Sequence, residues 1–315
     1  MPTASTDSPL GIVTRSTGSW YQVLHEGSTL SCRSRGRIRL KGIRATNPIA
    51  VGDRVRFTIE TDGSGVIESI EPRSNYIIRR ATNLSKEYHI IAANLDLAIV
   101  MVTLCAPPTP LPFIDRFLAT AQAYRIPATV VLAKQDLPEE RAATQETNLE
   151  SIYRQAGYQV LALSATTGEG VDTLRQMLTG RTTLIAGNSG VGKSSLINAL
   201  APDLHLRTAP LSAVHGIGQH TTTFSEMFTL DASAGTHVID TPGIKGFGVV
   251  DFERGQISHF FPDIFALAPQ CQFANCLHDQ EPRCAVRAAV ESGHLAISRY
   301  ISYLDLLHGE GEKYR

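Results

Sequence analysis

The sequence predicts a multidomain chain of three parts. An N-terminal β-barrel comes first, then a central α/β unit on a mostly parallel sheet, then a short, mostly α segment held by a cysteine–histidine cluster. Three observations predict this order. Residues 1–80 contain short β-type runs separated by Gly, Ser, Asn and Pro; residues 81–249 alternate strand-like with helix-like runs; residues 250–315 concentrate cysteines ahead of the helical-looking "HLAISRYISYLDLLHGE".

In the first part, "GIVTRSTGSWYQVL", "STLSCRSRGRIRL", "DRVRFTIE" and "GVIESIEP" have the spacing of a small barrel of the oligonucleotide/oligosaccharide-binding (OB) type. In "CRSRGRIRL" the arginines alternate with other residues, so period-2 geometry puts Arg33, Arg35, Arg37 and Arg39 on one sheet face, with Lys41 just beyond. Such a basic face on a chain of net charge -1 suits a polyanion such as RNA. A solvated strand face accounts for the same pattern. Trp20 and Tyr21 are stacking groups for bases in the first reading and core residues in the second.

In the second part, strands are expected at "LDLAIVMVTL", "ATVVLA", "YQVLALSA", "TTLIAG", "EMFTL" and "THVIDT", with helices over Pro112–Tyr124, Glu139–Ala156, Val171–Leu178 and Lys193–Leu200. Sites in such folds lie at the strand C-termini. The third part is too short to bury much core unaided, which gives its cysteine cluster a purpose as a staple.

The apolar fraction of 43% and charged fraction of 19% are those of a globular protein. The start "MPTASTDSPLGIV" has neither a basic region nor a long apolar run, and no secretory signal is expected. No stretch approaches the roughly 18 apolar residues of a membrane span. An odd count of 5 cysteines argues for a reducing compartment, and a soluble cytoplasmic protein is expected.

Chemistry is concentrated in six places. Gly187-Asn188-Ser189-Gly190-Val191-Gly192-Lys193-Ser194 satisfies G-x-x-x-x-G-K-[ST], followed by Ser195. The glycines let backbone N–H groups wrap a phosphate, Lys193 bridges β- and γ-phosphates, and the Ser194 hydroxyl ligates Mg2+. Downstream, Asp240-Thr241-Pro242-Gly243 ends an apolar run. Asp240 can hold the magnesium through water while the Gly243 N–H senses the γ-phosphate. Between them, "GIGQHTTTFSE" suits a mobile switch in which Thr221, Thr222 or Thr223 completes the magnesium shell, Thr222 being preferred. A merely polar surface loop is the alternative.

Upstream lies "LAKQDL": Ala133, Lys134, Gln135 and Asp136, in which the Asp136 carboxylate can accept from the two donors on the guanine edge. Ser164-Ala165 supplies a backbone N–H for the guanine O6. Cys271, Cys276, His278 and Cys284 form C-x4-C-x-H-x5-C, a closed tetrahedral donor set for one structural Zn2+. Cys32 and Cys105 are expected to be buried.

These residues resemble the GTPases, whose elements run phosphate loop, switch threonine, D-x-x-G, base reader, Ser-Ala turn. Here the order is base reader, Ser-Ala, phosphate loop, switch, D-x-x-G, a circular permutation. With a barrel in front and a Cys/His knot behind, the chain resembles the RsgA family of small ribosomal subunit biogenesis GTPases over nearly its whole length. "NPIAVGDRV", "GQHTTT", "IDTPGIKGFG" and "CQFANCLHDQEPRCAV" carry the likeness. The family's base reader usually begins with Asn where this chain has Ala133, at an expected cost of about 1–3 kcal/mol in base binding. Ile244 stands where many GTPases place a water-orienting Gln, and the resemblance implies that His220 takes that work; a histidine that only packs or binds RNA is the alternative.

The resemblance implies GTP hydrolysis to GDP and phosphate with Lys193, Thr222, Gly243 and His220 as the catalytic groups, and a monomer is expected. It implies a late-stage assembly factor whose turnover is stimulated by the small ribosomal subunit, gripping rRNA through the barrel and zinc segment. Because Gly243 closely precedes the cysteine segment, γ-phosphate loss could swing that segment directly. A non-hydrolysing, nucleotide-dependent RNA-binding scaffold is the alternative, suggested by Ile244 and Ala133. A P-loop kinase or ATPase is a third reading, which leaves the upstream K-x-D and Ser-Ala without a purpose.

Overall fold

The structure is a computed structural model and describes residues 8–36, 47–80, 88–207, 225–241 and 252–309. Its first five strands are β1 (Leu10–Ser16), β2 (Trp20–His25), β3 (Ser28–Ser34), β4 (Arg54–Ile59) and β5 (Gly65–Ile70). They close as β1-β2-β3-β5-β4-β1, with β3 and β5 parallel and the other neighbours antiparallel. Closure removes the unpaired edges of a sheet this small. Alternate residues Val13, Tyr21, Val23, Cys32, Val55, Phe57 and Ile67 fill the interior.

A hairpin follows, β6 (Tyr76–Arg80) against β7 (Tyr88–Ala93), straddling the expected junction at residue 80. The segment Asn47–Asp53 straps it to the barrel. The Asn47 amide donates to Ile90 O at 2.9 Å and accepts from Ile90 N at 3.0 Å. Asn94 donates to Gly52 O at 2.9 Å, and the buried Arg73 and Asp53 pair at 2.6 Å. The barrel is thus tied to the next unit by several polar contacts in addition to the chain itself.

The central unit contains β8 (Leu97–Val102), α1 (Leu111–Ala123), β9 (Ala128–Leu132), α2 (Pro138–Glu146), α3 (Leu149–Gln155) and β10 (Gln159–Ala162). It continues with α4 (Val171–Leu178), β11 (Thr182–Gly187), α5 (Lys193–Leu200), β12 (Glu226–Asp231) and β13 (Thr236–Asp240). The sheet order is β10-β9-β8-β11-β13-β12, parallel from β10 to β13 with β12 antiparallel at the end. Every residue of β8 is buried, as befits a strand covered by helices on both faces. The long helix expected over 139–156 is two helices. Asn148, with φ +52°, breaks it in the left-handed conformation that Asn tolerates better than most residues. One bridge, Arg15 opposite Glu226, joins β1 to β12 and runs barrel and central sheet together.

The C-terminal segment holds α6 (Pro262–Leu267), α7 (Ala285–Glu291) and α8 (Ile297–Leu307). Its core of Ile257, Phe260, Phe261, Ile264, Val286, Leu295 and Tyr303 includes Ala119 from α1. Arg299 of α8, 1% exposed, is the chief polar tie between the two units. Its guanidinium meets Asp115 of α1 at 2.7 Å and Asp263 of α6 at 2.8 and 3.0 Å. Tyr153 of α3 donates to Asp115 at 3.0 Å, and the Phe261 ring lies 4.9 Å from the guanidinium carbon. Among the described residues, no helix is long and apolar enough to cross a membrane.

Candidate nucleotide-binding site and metal centre

Parallel pairing of β10, β9, β8, β11 and β13 places all their C-terminal ends on one edge of the sheet. The phosphate-loop motif leaves β11, Asp240 ends β13, "AKQD" follows β9 and Ser164-Ala165 follows β10. Segments far apart in sequence therefore share one edge.

At Gly187 the loop passes so close to β8 that a Cβ would lie 2.9 Å from Met101 O. Gly192, with φ +106°, turns the chain into α5, and its conformation excludes most side chains. The buried Val191 anchors the loop from beneath. Lys193, 8% exposed, curls back so that Nζ donates to Gly187 O at 2.8 Å and Asn188 O at 3.2 Å. Burial holds its pKa below the usual lysine value, and the nearby Asp240 carboxylate pushes the other way. An anion arriving at the α5 N-terminus would give this ammonium charged partners in place of carbonyls. Asp240 sits beside Ile185 in the β11–β13 register, and the Thr241 hydroxyl donates to Ile185 O at 3.1 Å. Oxygen donors such as the Ser194 hydroxyl and the Asp240 carboxylate fit a hard cation of the Mg2+ kind.

Ala133 is buried in the apolar core beneath the edge, with its N–H on Val102 O at 2.8 Å. It contributes no polar side-chain atom. Lys134 adopts φ +57° and its Nζ donates to Ala106 O at 2.6 Å. Burial lowers the pKa of Lys134, opposed by Glu140 and Asp136, so both carboxylates lie within its electrostatic reach. Gln135 N donates to Leu163 O at 3.1 Å, joining the base reader to the Ser-Ala turn. The Ser164 hydroxyl accepts from Thr166 N and Thr167 N at 3.2 and 3.1 Å, which shapes that turn. Arg141 spans the two, donating to Gln135 O at 3.0 Å and pairing with Glu169 at 3.0 Å. Asp136 is half-buried beside this frame.

The base-reader and phosphate-loop regions lie side by side, next to the loop after β8. A Cβ at Gly192 would lie 3.9 Å from Lys134 Cε, and the Asn188 amide donates to Pro108 O at 3.4 Å. Of the remaining expected groups, His220, Thr221, Thr222, Thr223 and Gly243 lie outside the described residues, as do Arg37, Arg39 and Lys41. Arg33 and Arg35 project from the barrel exterior, paired with Glu60 at 2.7 Å and Glu68 at 3.2 Å. Trp20, opposite Arg33 in the β2–β3 register, is 46% exposed, whereas Tyr21 is core. The expectation of a buried Cys105 is corrected: it is exposed on the loop after β8, while Cys32 is buried in the barrel. Glu140, Arg141 and Arg299 are structural contributors that pattern reading does not single out.

Cys271, Cys276, His278 and Cys284 converge with donor atoms all within 4.8 Å of one another. Cys271 Sγ lies 4.0 Å from Cys284 Sγ, and His278 Nδ1 lies 3.5 and 3.6 Å from the same two sulfurs. A tetrahedral zinc centre with bonds of about 2.3 Å to sulfur and about 2.05 Å to nitrogen requires separations near ~3.8 Å (S···S) and ~3.5 Å (S···N). The cluster fits such an ion. Its supports are also fixed: Tyr300 and Tyr303 donate to His278 O and Leu277 O at 2.7 and 2.6 Å, and Glu281 accepts from Leu277 N and Asp279 N. Burial pushes the Cys276 thiol up to about 12, so the bare cluster holds protons that a cation would displace.

The fold and the site together define a P-loop GTPase with circularly permuted segments, carrying a five-stranded barrel in front. The sequence model of the RsgA GTPase matches residues 70–250, and that of the RsgA N-terminal domain matches residues 10–67. The chain belongs to the RsgA GTPase family. It is 52% identical over 307 residues to the small ribosomal subunit biogenesis GTPase RsgA of Bacteroides fragilis strain YCH46, covering 97% of this chain and 98% of that one. With the Porphyromonas gingivalis protein of the same name it shares 51% over 310 residues, 97% and 98% of the two chains. Among solved structures it resembles YjeQ from Thermotoga maritima, with a TM-score of 0.71 and 34% identity over 96% of this chain and 98% of that one. YloQ, described as a circularly permuted GTPase, matches with a TM-score of 0.70 and 28% identity over 100% and 99%.

Proposed function

We propose that the protein hydrolyses GTP as a late-stage assembly factor of the small ribosomal subunit, with turnover stimulated by that subunit. The observation that carries this reading is the shared edge, where "AKQD", Ser164-Ala165, the phosphate loop and Asp240 leave parallel strands of one sheet. The names of its relatives supply the ribosomal partner.

In this reading Asp136 accepts from the guanine edge, and the Ser164-Ala165 turn presents an N–H to its O6. Backbone groups from Gly187 to Ser195 wrap the phosphates, and Lys193 releases Gly187 O and Asn188 O to bridge β- and γ-oxygens. Ser194, Thr222 and Asp240 would hold Mg2+, which supplies neutralisation of phosphate charge when bound. His220 orients the attacking water, since Ile244 cannot, and Gly243 responds to the γ-phosphate. The Cys271–Cys284 cluster takes one structural Zn2+, because four protein ligands leave no open position. Arg33, Arg35 and the exposed Trp20 on the barrel exterior take the rRNA, together with Arg37, Arg39 and Lys41. A monomer working in the cytoplasm completes the reading. Since Arg299 ties the C-terminal segment to α1, any swing of that segment on phosphate loss must move α1 or part this network.

Multiple-turnover phosphate release, measured with small subunits, large subunits and neither, tests the proposal. Stimulation by small subunits alone supports it. Indifference to both would leave the nucleotide-dependent scaffold. A His220→Ala variant should lose stimulated turnover while binding GDP as before, and undiminished turnover would remove His220 from the mechanism.

A further inference from the structure

The loop after β8, Thr103–Thr109, is held from three directions. It is closed at its neck by Thr109 N on Thr103 O at 2.8 Å and Thr103 N on the Thr109 hydroxyl at 3.3 Å. Glu140 of α2, 1% exposed, accepts three successive backbone N–H groups along it: Leu104 at 2.6 Å, Cys105 at 3.0 Å and Ala106 at 2.8 Å. Lys134 of the base reader donates to Ala106 O at 2.6 Å. Asn188 of the phosphate loop donates to Pro108 O at 3.4 Å.

The two halves of the nucleotide site therefore grip the same short loop. Ala133, the residue that opens the base reader, has no polar side-chain atom with which to reach across, so the polar tie runs through residues 104–108. The three N–H groups converge on a carboxylate that is itself buried. Without that acceptor the three N–H groups lose their shared partner, and the loop is no longer fixed against α2. A single carboxylate satisfies all three at once because its two oxygens offer several lone pairs, whereas an amide offers only one oxygen.

We propose that Glu140, through the Thr103–Thr109 loop, is a positioning residue for base selectivity, registering Lys134 and Asp136 against the phosphate loop. Glu140 itself touches no nucleotide. The inference rests on the guanine-binding reading above and adds a determinant to it.

The test compares dissociation constants of fluorescent GDP and ADP analogues for the full-length wild type, Glu140→Ala and Glu140→Gln, with thermal unfolding of each. Glu140→Gln keeps size and shape but sets an amide N–H against a backbone N–H, so it remains informative should the alanine variant not fold. The expected result is a GDP affinity reduced roughly tenfold, with ADP affinity changed less than about twofold, so that selectivity collapses. Unchanged selectivity in a folded Glu140 variant overturns the proposal. So does a parallel loss of GDP and ADP affinity, which marks a merely structural carboxylate. A wild type without guanine preference defeats the base-reading assignment itself and the inference with it, and that failure is visible before any variant is made.

Discussion

Replacing Arg299 by Met should detach the C-terminal segment from the body of the protein before it affects anything else. The guanidinium is 1% exposed and makes three hydrogen bonds to Asp115 and Asp263, the two carboxylates being 1% and 8% exposed. Burial opposes its charge, but those two acids hold its pKa well above the usual arginine value. Met fills much of the same volume and leaves both carboxylates facing a low-dielectric interior without their cation. Breaking one side of a buried ion pair in this way costs about 3–5 kcal/mol. At about 2–4 °C per kcal/mol for a unit of this size, the unfolding midpoint should fall by about 6–20 °C. Differential scanning calorimetry provides the measure, and limited proteolysis should place the earliest cuts after residue 252. Converting Asp115 and Asp263 to Asn in the same chain should recover part of the loss, because an intact neutral set no longer strands a charge. A midpoint within about 2 °C of the wild type would mean that water reaches the acids, and the reasoning about burial would be wrong.

Chelation of a metal-loaded sample should expose the C-terminal segment to protease and reduce helical circular dichroism; indifference to chelator would mean that the four donors do not carry a structural ion. Asp136→Ala should lower guanine affinity by more than about tenfold while leaving ADP binding within about twofold, read by competition against a fluorescent GDP analogue. His237 is buried on β13 beside the Thr229 hydroxyl at 3.1 Å, and burial lowers its pKa from the ordinary 6.5. Its folded state thus binds protons less readily than its unfolded state. The stability it contributes is present above about pH 6.5 and is lost as pH falls through the depressed folded value. His237→Gln should flatten that acid limb in urea titrations between pH 7 and 5, and an unaltered limb would assign the loss to other groups.

What sequence alone discloses follows a physical pattern. The phosphate loop, the strands beneath it and the Cys/His cluster are legible because their constraints are local: a tight turn, an all-apolar run, closely spaced donors. The strand order needs only the parallel-sheet rule to bring β9 and β11 onto one edge. Contacts of long sequence separation leave no such trace. Arg299 and Asp115 stand 184 residues apart, and in a helix reading Arg299 looks like any surface cation. Glu140 passes for a first-turn acid favoured by the helix dipole, and nothing in "LPEE" discloses that it faces inward onto another loop. The hairpin β6–β7 is missed because its partner strands flank the junction chosen between two domains. Trp20 and Tyr21 divide between surface and core by strand alternation, a signal present in the sequence that composition-level reasoning passes over.

A crystal structure of the protein with Mg2+ and a non-hydrolysable GTP analogue gives the most direct test. The result expected is one ligand whose purine edge meets the Asp136 carboxylate within hydrogen-bond distance while its β- and γ-phosphates meet Lys193 Nζ. A purine elsewhere, with Asp136 facing solvent while phosphates fill the loop at Gly187–Ser194, would contradict it.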